Sequence, residues 1–419
     1  MTVTDVAKKL NISADTVRRW DKKGIIKSQR NNNRYRIFNI NEVRRVYSKK
    51  NGDYSINRYR IIKSAKKTIF TVVDLFSGAG GTALGLENAG LHHVMLIEFE
   101  KNAVATLKKN RPSWNVVHDN IANVDFRGVN ADIVEGGFPC QAFSYAGKKL
   151  GFTDTRGTLF FEFVRAIKEI RPKIAIGENV KGLLRHNKGR TFETMLNTLD
   201  EVGYKVAYKV LRSQYLDVPQ KRERLIIFAI RKDLKMDFLF PKEKDYIITL
   251  REALKKVPAT KGYAYPEKKK QILGLVPPGG YWKDLPEDIK KEYMGASYYH
   301  SGGKTGMARR LSWEEPCLTL TTSPAQKQTE RCHPKETRPL TIREYARIQT
   351  FPDDWKFSGS TASQYKQIGN AVPVNMAYHI GKAVINMLEG KKNLKMFTNV
   401  KVEKYKEFNW DQLSLLAPL

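Results

Sequence analysis

Four side chains could do covalent chemistry together. Cys140 stands in "GGFPCQAF" (136–143), after two glycines that close the apolar run "ADIVEGG". The proline before it stiffens the chain and donates no backbone hydrogen bond, which is unusual for a packing cysteine. Glu178 follows the next apolar run, "KIAIG", and Arg222 and Arg224 lie in "QKRER" at the start of a further one. A thiol, a carboxyl and a guanidinium form a coherent set: nucleophile, proton donor and anion holder. Each alone has a structural explanation, as packing, turn cap or surface charge. Their place at successive strand ends makes chemistry the better reading.

The elements that must position them are short apolar runs: "TIFTVVDLF", "HHVMLIEFE", "WNVVHDN", "ADIVEGGF", "KIAIGEN", "YKVAYKVL" and "RLIIFAI". Helical stretches at 81–89, 101–110, 158–170 and 190–202 separate several of them. This alternation predicts a doubly wound, Rossmann-like α/β sheet. Ligands of such sheets bind at the carboxyl ends of the strands, where Cys140 and Glu178 fall on strands expected to be neighbours. "QKRER" precedes its strand, so Arg222 and Arg224 are expected at the opposite end, but on a loop that could reach inward. The catalytic and cofactor-binding domain is expected over 69–231. An irregular lobe inserts at 232–337, the domain returns over 338–390, and 391–419 is a tail.

"VVDLFSGAGGTALGLENAG" reads as strand, glycine-rich turn and helix, allowing close approach of a ligand. Glu98 follows Gly78 by 20 residues, at a strand end suited to ribose hydroxyls. An adenosine-containing cofactor is therefore expected. The residues alone leave NAD and S-adenosylmethionine open, although the turn lacks the strict G-x-G-x-x-G spacing.

The 419 residues carry a net charge of +31, which favours a polyanionic partner. Three cysteines, Cys140, Cys317 and Cys332, make no disulfide framework and no pair with metal-ligand spacing, so no metal is expected. Cys317 and Cys332 are read as structural. With no apolar leader and no run of about 18 apolar residues, a cytoplasmic, reduced, nucleoid-associated protein without a membrane partner is expected.

The first 67 residues hold 19 Lys and Arg against 5 Asp and Glu. "TDVAKKLNIS" and "SADTVRRWDKKG" read as two short helices, with Val6, Ala7, Leu10, Val17 and Trp20 inward. "IIKSQRNNNRYRIFNI" reads as a hairpin wing bearing Arg30, Arg34 and Arg36. This order resembles the N-terminal domain of the MerR and excisionase families. The resemblance implies a winged helix-turn-helix over 1–50, with Thr16, Arg18 and Arg19 facing DNA, and 51–68 as a basic linker.

"DLFSGAGG" (74–81), "GGFPCQAFSYAGK" (136–148), "GENV" (177–180), "QKRERLIIFA" (220–229), "RPLTIREYARIQTFPDDW" (338–355) and "QYKQIGNAVPV" (364–374) together resemble the DNA (cytosine-5)-methyltransferase family. They occur in the family's order over roughly 69–385. The resemblance implies S-adenosyl-L-methionine as methyl donor, double-stranded DNA as substrate, and Cys140 as the nucleophile that adds to C6 of a flipped cytosine. It implies Glu178 at N3, and Arg222 and Arg224 on the base oxygen or an adjacent phosphate. It places the cofactor against Phe76, Ser77, Gly78, Gly80, Gly81, Glu98, Phe99, Pro139, Leu159 and Asn370. The family often carries Asp-Ile after the third strand; this chain has Asn120-Ile121, with Asp119 one position early. Residues 145–158 are implied as the loop that closes on the base, with Gly147, Gly151 and Gly157 as hinges.

The lobe at 232–337 matches the family's target-recognition region in position, and "TLTTSPAQKQTERCHP" (318–334) is a candidate DNA-contacting segment. The expected role is the modification enzyme of a restriction–modification system, whose N-terminal domain binds an operator or anchors the enzyme. The cognate endonuclease is expected as a partner without a stable complex. The expected state is a monomer, with dimerisation through the N-terminal domain as the alternative. Two other functions stay open: a regulator with a decayed catalytic lobe, and RNA cytosine-5 methylation.

Overall fold

The structure is a computed structural model that describes residues 1–10, 12–22, 26, 28–30, 35–39, 43, 57–139, 159–302, 304–391 and 393–400. Cys140, Arg34 and the loop with Gly147, Gly151 and Gly157 lie outside the described residues, as do residues 392 and 401–419 of the tail.

The N-terminal module has helices α1 (Val3–Leu10) and α2 (Ala14–Lys22) and an antiparallel wing of β1 (Ser28–Arg30) and β2 (Arg36–Phe38). Thr2 and Asp5 cap α1 reciprocally, each accepting the other's backbone N–H. Ser13 Oγ accepts Thr16 N–H at 3.1 Å and starts α2. Val6, Ala7, Val17, Trp20, Ile26, Phe38 and Val43 form a separate small core.

The catalytic body is built on a seven-stranded sheet. Its strands are β3 (Thr71–Asp74), β4 (His92–Glu98), β5 (Val116–His118), β6 (Ile133–Gly136), β7 (Ile174–Val180), β8 (Tyr204–Arg212) and β10 (Glu223–Arg231), with the two-residue β9 (Gln220–Lys221) just before β10. The order across the sheet is β5-β4-β3-β6-β7-β10-β8. The pairs from β5 to β7 are parallel, whereas β10 is antiparallel to both β7 and β8. Helices α3 (Gly81–Ala89), α4 (Lys101–Asn110), α5 (Leu159–Ile170) and α6 (Arg190–Glu201) follow β3, β4, β6 and β7.

Each sheet face buries its own core. On one face Val72, Ile133, Ile174, Ile176 and Phe228 meet α3 and α12, the helix of Val374–Leu388. A methyl group on Gly85 would stand 2.4 Å from Ala377 Cβ, so only glycine lets α3 and α12 approach this closely. On the other face Val73, Val134, Ala175 and Ile227 pack against α5 and α6, with Phe163 and Met195 at the centre.

Three expected boundaries are corrected. Residues 57–68 are no free linker: they strap across the body. Tyr59 Oη donates to Arg347 O at 3.0 Å, and Asn375 accepts Ile62 N–H and donates to Arg60 O. The inserted lobe does not begin at 232, because β11 (Phe238–Pro241) buries Phe238, Leu239 and Phe240 in the sheet's core. The tail contributes β13 (Phe397–Val400), which pairs antiparallel with β11. Apolar side chains at 238–240 and Phe397 gain more from that core than from a separate lobe.

The lobe's own core holds Tyr265, Leu273, Trp282, Tyr293, Met307 and Cys332, gathered around α8 (Glu267–Gly274) and α9 (Glu287–Met294). By contrast α7 (Leu250–Ala253) and β12 (Cys317–Leu318) belong to a third core with α10 (Ile342–Ile348) and α11 (Thr361–Asn370). Among the described residues, no helix is long and apolar enough to cross a membrane.

Candidate active site

The antiparallel direction of β10 decides where the arginines fall. Arg224 is register partner of Val180 at the carboxyl end of β7. The start of β10 therefore lies at the same edge as the ends of β6 and β7, and the expectation that "QKRER" sits at the opposite end is corrected. No loop has to reach inward. The ten residues between β8 and β10 are too few for a parallel crossover, which takes a dozen or more, so this direction was readable from the spacing.

At that edge Arg224 Nε lies 2.7 Å from Glu178 Oε1. Arg224 also donates to Glu223 O at 2.7 Å. Burial lowers the Arg224 pKa, and the Glu178 charge opposes that shift. Arg222 is 2% exposed and donates to Leu320 O at 3.3 Å and Asn370 O at 3.4 Å. Burial, with the like charge of Arg224, lowers it to about 9, so it remains a cation at neutral pH. Its Nε is buried without a hydrogen-bond partner.

Phe138 and Pro139 carry the chain out of β6 toward Cys140. Asn179, 3% exposed, donates its amide to Phe138 O at 2.9 Å and fixes that exit. Phe138 packs edge-on against Phe160 and close to Phe163, both on α5. The sequence reading assigned Asn179 no role; its signal was its place beside Glu178. Gln349 was also missed. Buried, it accepts from Gln220 at 2.8 Å and donates to Ile368 O and Ala371 O, tying β9 to the end of α11.

The glycine loop lies at the same edge. Gly78 and Gly80 have φ of +52° and +84°, conformations that favour glycine. A Cβ on Gly81 would stand 2.3 Å from Val372 O. Glu98 accepts Gly78 N–H at 2.6 Å and Glu100 N–H at 2.7 Å, which fixes its carboxylate against the loop. Burial raises its pKa, and the backbone donors pull the other way. Phe99 is 68% exposed beside it, Ser77 is buried, and Phe76 and Leu159 are half-buried. Asn120 is exposed, and its Oδ1 caps the turn at Ala122 N–H; Ile121 is buried. Asp119 Oδ1 is held by Asn120 N–H and Asn123. Asn370, exposed at the end of α11, meets the site through its carbonyl on Arg222.

A cleft of about 430 Å³ opens from the arginines and is lined by Lys181, Arg212, Lys221, Arg222, Arg224 and Thr319 among others. Lys181 pairs with Glu223 and Lys221 with Glu315. Arg212 pairs with Glu243, and Glu223 itself lines the cleft, so most of its cations are answered by carboxylates.

Cys317 and Cys332 are buried far from such a role, and burial pushes their thiols up to about 12 and about 11. In the N-terminal module Arg18 pairs with exposed Asp15 at 2.6 Å, Arg19 donates to Thr16 Oγ1 at 3.5 Å, and Arg36 pairs with Asp21. Arg30 is exposed on the wing.

Comparison with known proteins gives the same answer from another direction. Residues 70–386 match the model of the C-5 cytosine-specific DNA methylases, and residues 2–38 that of the MerR family regulatory proteins. The chain is 54% identical to the type II methyltransferase M.Eco47II of Escherichia coli over 407 residues, 93% of this chain and 96% of that one. It is 58% identical to M.PspPI of a Psychrobacter strain, covering 76% and 80% of the two chains. M.Sau96I of Staphylococcus aureus is 53% identical, covering 80% of each. A solved putative DNA modification methyltransferase encoded within an E. coli prophage superposes with a TM-score of 0.57 at 24% identity, covering 76% of this chain and 99% of that one, and shares the fold.

Proposed function

The chain belongs to the C-5 cytosine-specific DNA methylase family, and from that premise we propose how its own residues methylate cytosine, with S-adenosyl-L-methionine as methyl donor. The observation that carries the reading is the Arg224–Glu178 pair at the edge from which Pro139 leads to Cys140.

Cytosine C5 is too weak a nucleophile to be alkylated unaided. Addition of the Cys140 thiolate at C6 converts the 5,6-double bond into an enamine with electron density at C5. Glu178 donates to or protonates N3, which draws charge out of the ring as the thiolate adds. Arg224 holds Glu178 in place, and Arg222 presents a buried cation to the base oxygen or the neighbouring phosphate. Loss of the C5 proton and departure of the thiolate restore the aromatic ring. The face of a stacked base is closed to this attack, so the cytosine must be flipped out of the duplex.

S-adenosyl-L-methionine supplies an electrophilic sulfonium methyl group when bound. The residues present fit it: a glycine cradle turned by positive φ at Gly78 and Gly80 and open at Gly78, a carboxylate at Glu98 suited to ribose hydroxyls, and the exposed ring of Phe99 for the adenine. Asn120, Ile121, Ser77, Phe76, Pro139, Leu159 and Asn370 complete the proposed contacts.

The named relatives are type II methyltransferases, which supports a role as the modification enzyme of a restriction–modification system. We assign the N-terminal module to a second DNA contact through Thr16, Arg18, Arg19, Arg30, Arg34 and Arg36, at an operator or beside the methylated site. Bisulfite sequencing of DNA from cells expressing the protein tests activity and reads the target sequence together. Cys140→Ala should abolish the signal; persistent methylation would overturn the mechanism.

A further inference from the structure

Two carboxyl groups lie side by side beneath the active-site edge. Asp74 ends β3 and Glu135 is its register partner on β6. They are 0% and 2% exposed. The Ser77 hydroxyl donates to Asp74 Oδ1 at 2.9 Å, while Asp74 Oδ2 is buried and meets no N–H or hydroxyl donor. The adjacent side chain on the same sheet face is that of Glu135, its register partner, and two carboxyls bond only when one carries a proton.

The surroundings favour keeping that proton. Glu98 on β4 acts on Asp74, and Glu178 on β7 acts on Glu135; both are carboxyls that resist a further negative charge nearby. Glu178 is answered by Arg224 and Glu98 by backbone N–H groups. Of the helices packed on this face, α3 carries Glu87, paired with Arg111, and α12 carries Tyr378, Lys382 and His379, the last paired with Asp217. Among the described residues, no cation pairs with Asp74 or Glu135. Burial pushes Asp74 up to about 7 and Glu135 well above the usual carboxylate range.

The position matters because both strands end in working loops. β3 runs into the glycine loop at Leu75, whose N–H bonds Glu135 O at 2.9 Å, and β6 runs through Gly137–Pro139 to Cys140. Methyl transfer requires the groups carried by these loops at one spacing, and small misplacements cost rate steeply. We propose that Glu135 is a positioning residue of methyl transfer: with Asp74 it forms a proton-sharing clamp that fixes the loop leaving β3 against the loop leaving β6. The inference rests on the methyl-transfer reading above.

The direction of its pH dependence follows. A carboxyl whose native pKa is raised stabilises the fold fully below the unfolded value, and that contribution is lost as pH rises through the native value. Below the transition the clamp is an O–H···O bond; above it, two buried anions repel.

The test compares full-length wild type, Glu135→Gln and Glu135→Ala between pH 6 and 9, by single-turnover methylation of target DNA and by thermal melting. Glu135→Ala should slow the methyl-transfer step about 10-fold at pH 7 while the KM for DNA stays put. Glu135→Gln, whose amide still donates to Asp74, should lose less and should abolish the alkaline fall in both rate and melting temperature. Superimposable pH profiles for wild type and Glu135→Gln, or a wild-type rate in Glu135→Ala, would overturn the clamp. Absence of methylation by the wild type would sink the functional reading, and the melting curves would still decide the clamp by themselves.

Discussion

Arg224 and Glu178 meet at 2.7 Å across an antiparallel seam, with only 13% and 15% of their side chains exposed. The contact exists because β10 enters the sheet between β7 and β8, bringing its first residues to the edge where β7 ends. It engages Glu178 Oε1. A Cβ on Gly137 would stand 3.3 Å from Oε2, so the second oxygen faces the chain that leads to Cys140. One oxygen is held by the guanidinium and the other borders Gly137.

Glu178→Gln should therefore slow methyl transfer by about 10²–10⁴-fold, the range for loss of a general acid, with the fold intact. Arg224→Lys keeps a charge but loses the planar guanidinium that reaches Glu178 and Glu223 O together, and should slow transfer about 10-fold or more. Single-turnover methyl incorporation with circular dichroism as a control checks both. A Glu178→Gln enzyme at wild-type speed would remove Glu178 from the chemistry.

How much of this was legible follows from what a sequence encodes locally. Glu98, the glycine loop, and Glu178 beside the exit from β6 were readable, because turn chemistry and strand ends are short-range features. Of the expected inward residues of the N-terminal helices, Val6, Ala7, Val17 and Trp20 are buried for the same reason, and the Leu10 side chain lies outside those described. The direction of β10 was misread, although the ten-residue connection carried the signal. The pairing of Phe238–Pro241 with Phe397–Val400 joins segments far apart in sequence, and its stability comes from a core neither segment specifies alone. The strap at 57–68 was hidden by its polar composition. Its anchors are scattered hydrogen bonds, those of Tyr59, Ile62, Ser64 and Thr68 among them, rather than an apolar period.

The glycine cradle predicts a sharp size limit. Gly81→Ala would drive a methyl to 2.3 Å from Val372 O and 3.1 Å from Ala371 Cβ. The neighbouring Ala371 O is held by Gln349, so that segment gives way reluctantly. The cost should be about 1–3 kcal/mol of stability, with cofactor affinity weakened at least roughly tenfold. Gly274→Ala, at the end of α8 with open space around it, should be neutral or slightly stabilising. Isothermal titration with S-adenosylhomocysteine and melting curves distinguish the two. Equal behaviour of both variants would refute the cradle.

The thiols should differ in reactivity. Alkylation requires thiolate, and burial holds Cys317 and Cys332 almost wholly protonated at neutral pH. Brief iodoacetamide treatment of the native protein should label Cys140 alone and abolish methylation, whereas the unfolded protein should label at all three. Peptide mapping reads the sites. Labelling of Cys317 or Cys332 at the Cys140 rate would contradict their assignment as packing residues.

Asp217 is the last case, and its sign is opposite to that of the Asp74–Glu135 pair. It is 4% exposed, and burial alone would raise its pKa. Hydrogen bonds from His379 at 2.8 Å, Lys244 and Tyr246 outweigh burial and hold it well below the usual carboxylate range. Its backbone carbonyl also accepts from Asn375, the residue that pins the strap, so the network joins the strap, α12 and the segment after β8. A carboxylate with a depressed native pKa contributes stability above its unfolded value, near 3.9, and loses it as pH falls through the native value. Asp217→Asn tolerates the residue's φ of +58° but removes the charge that answers Lys244 and His379. It should cost about 3 kcal/mol at pH 7, as for breaking one side of a buried ionic network. The gap from wild type should begin to narrow below about pH 4, where the carboxylate of the unfolded chain takes up a proton while the native one stays ionised. Urea melts at pH 7 and pH 3.5 measure the difference. A penalty that stays constant between those pH values would show that the network acts through shape rather than charge.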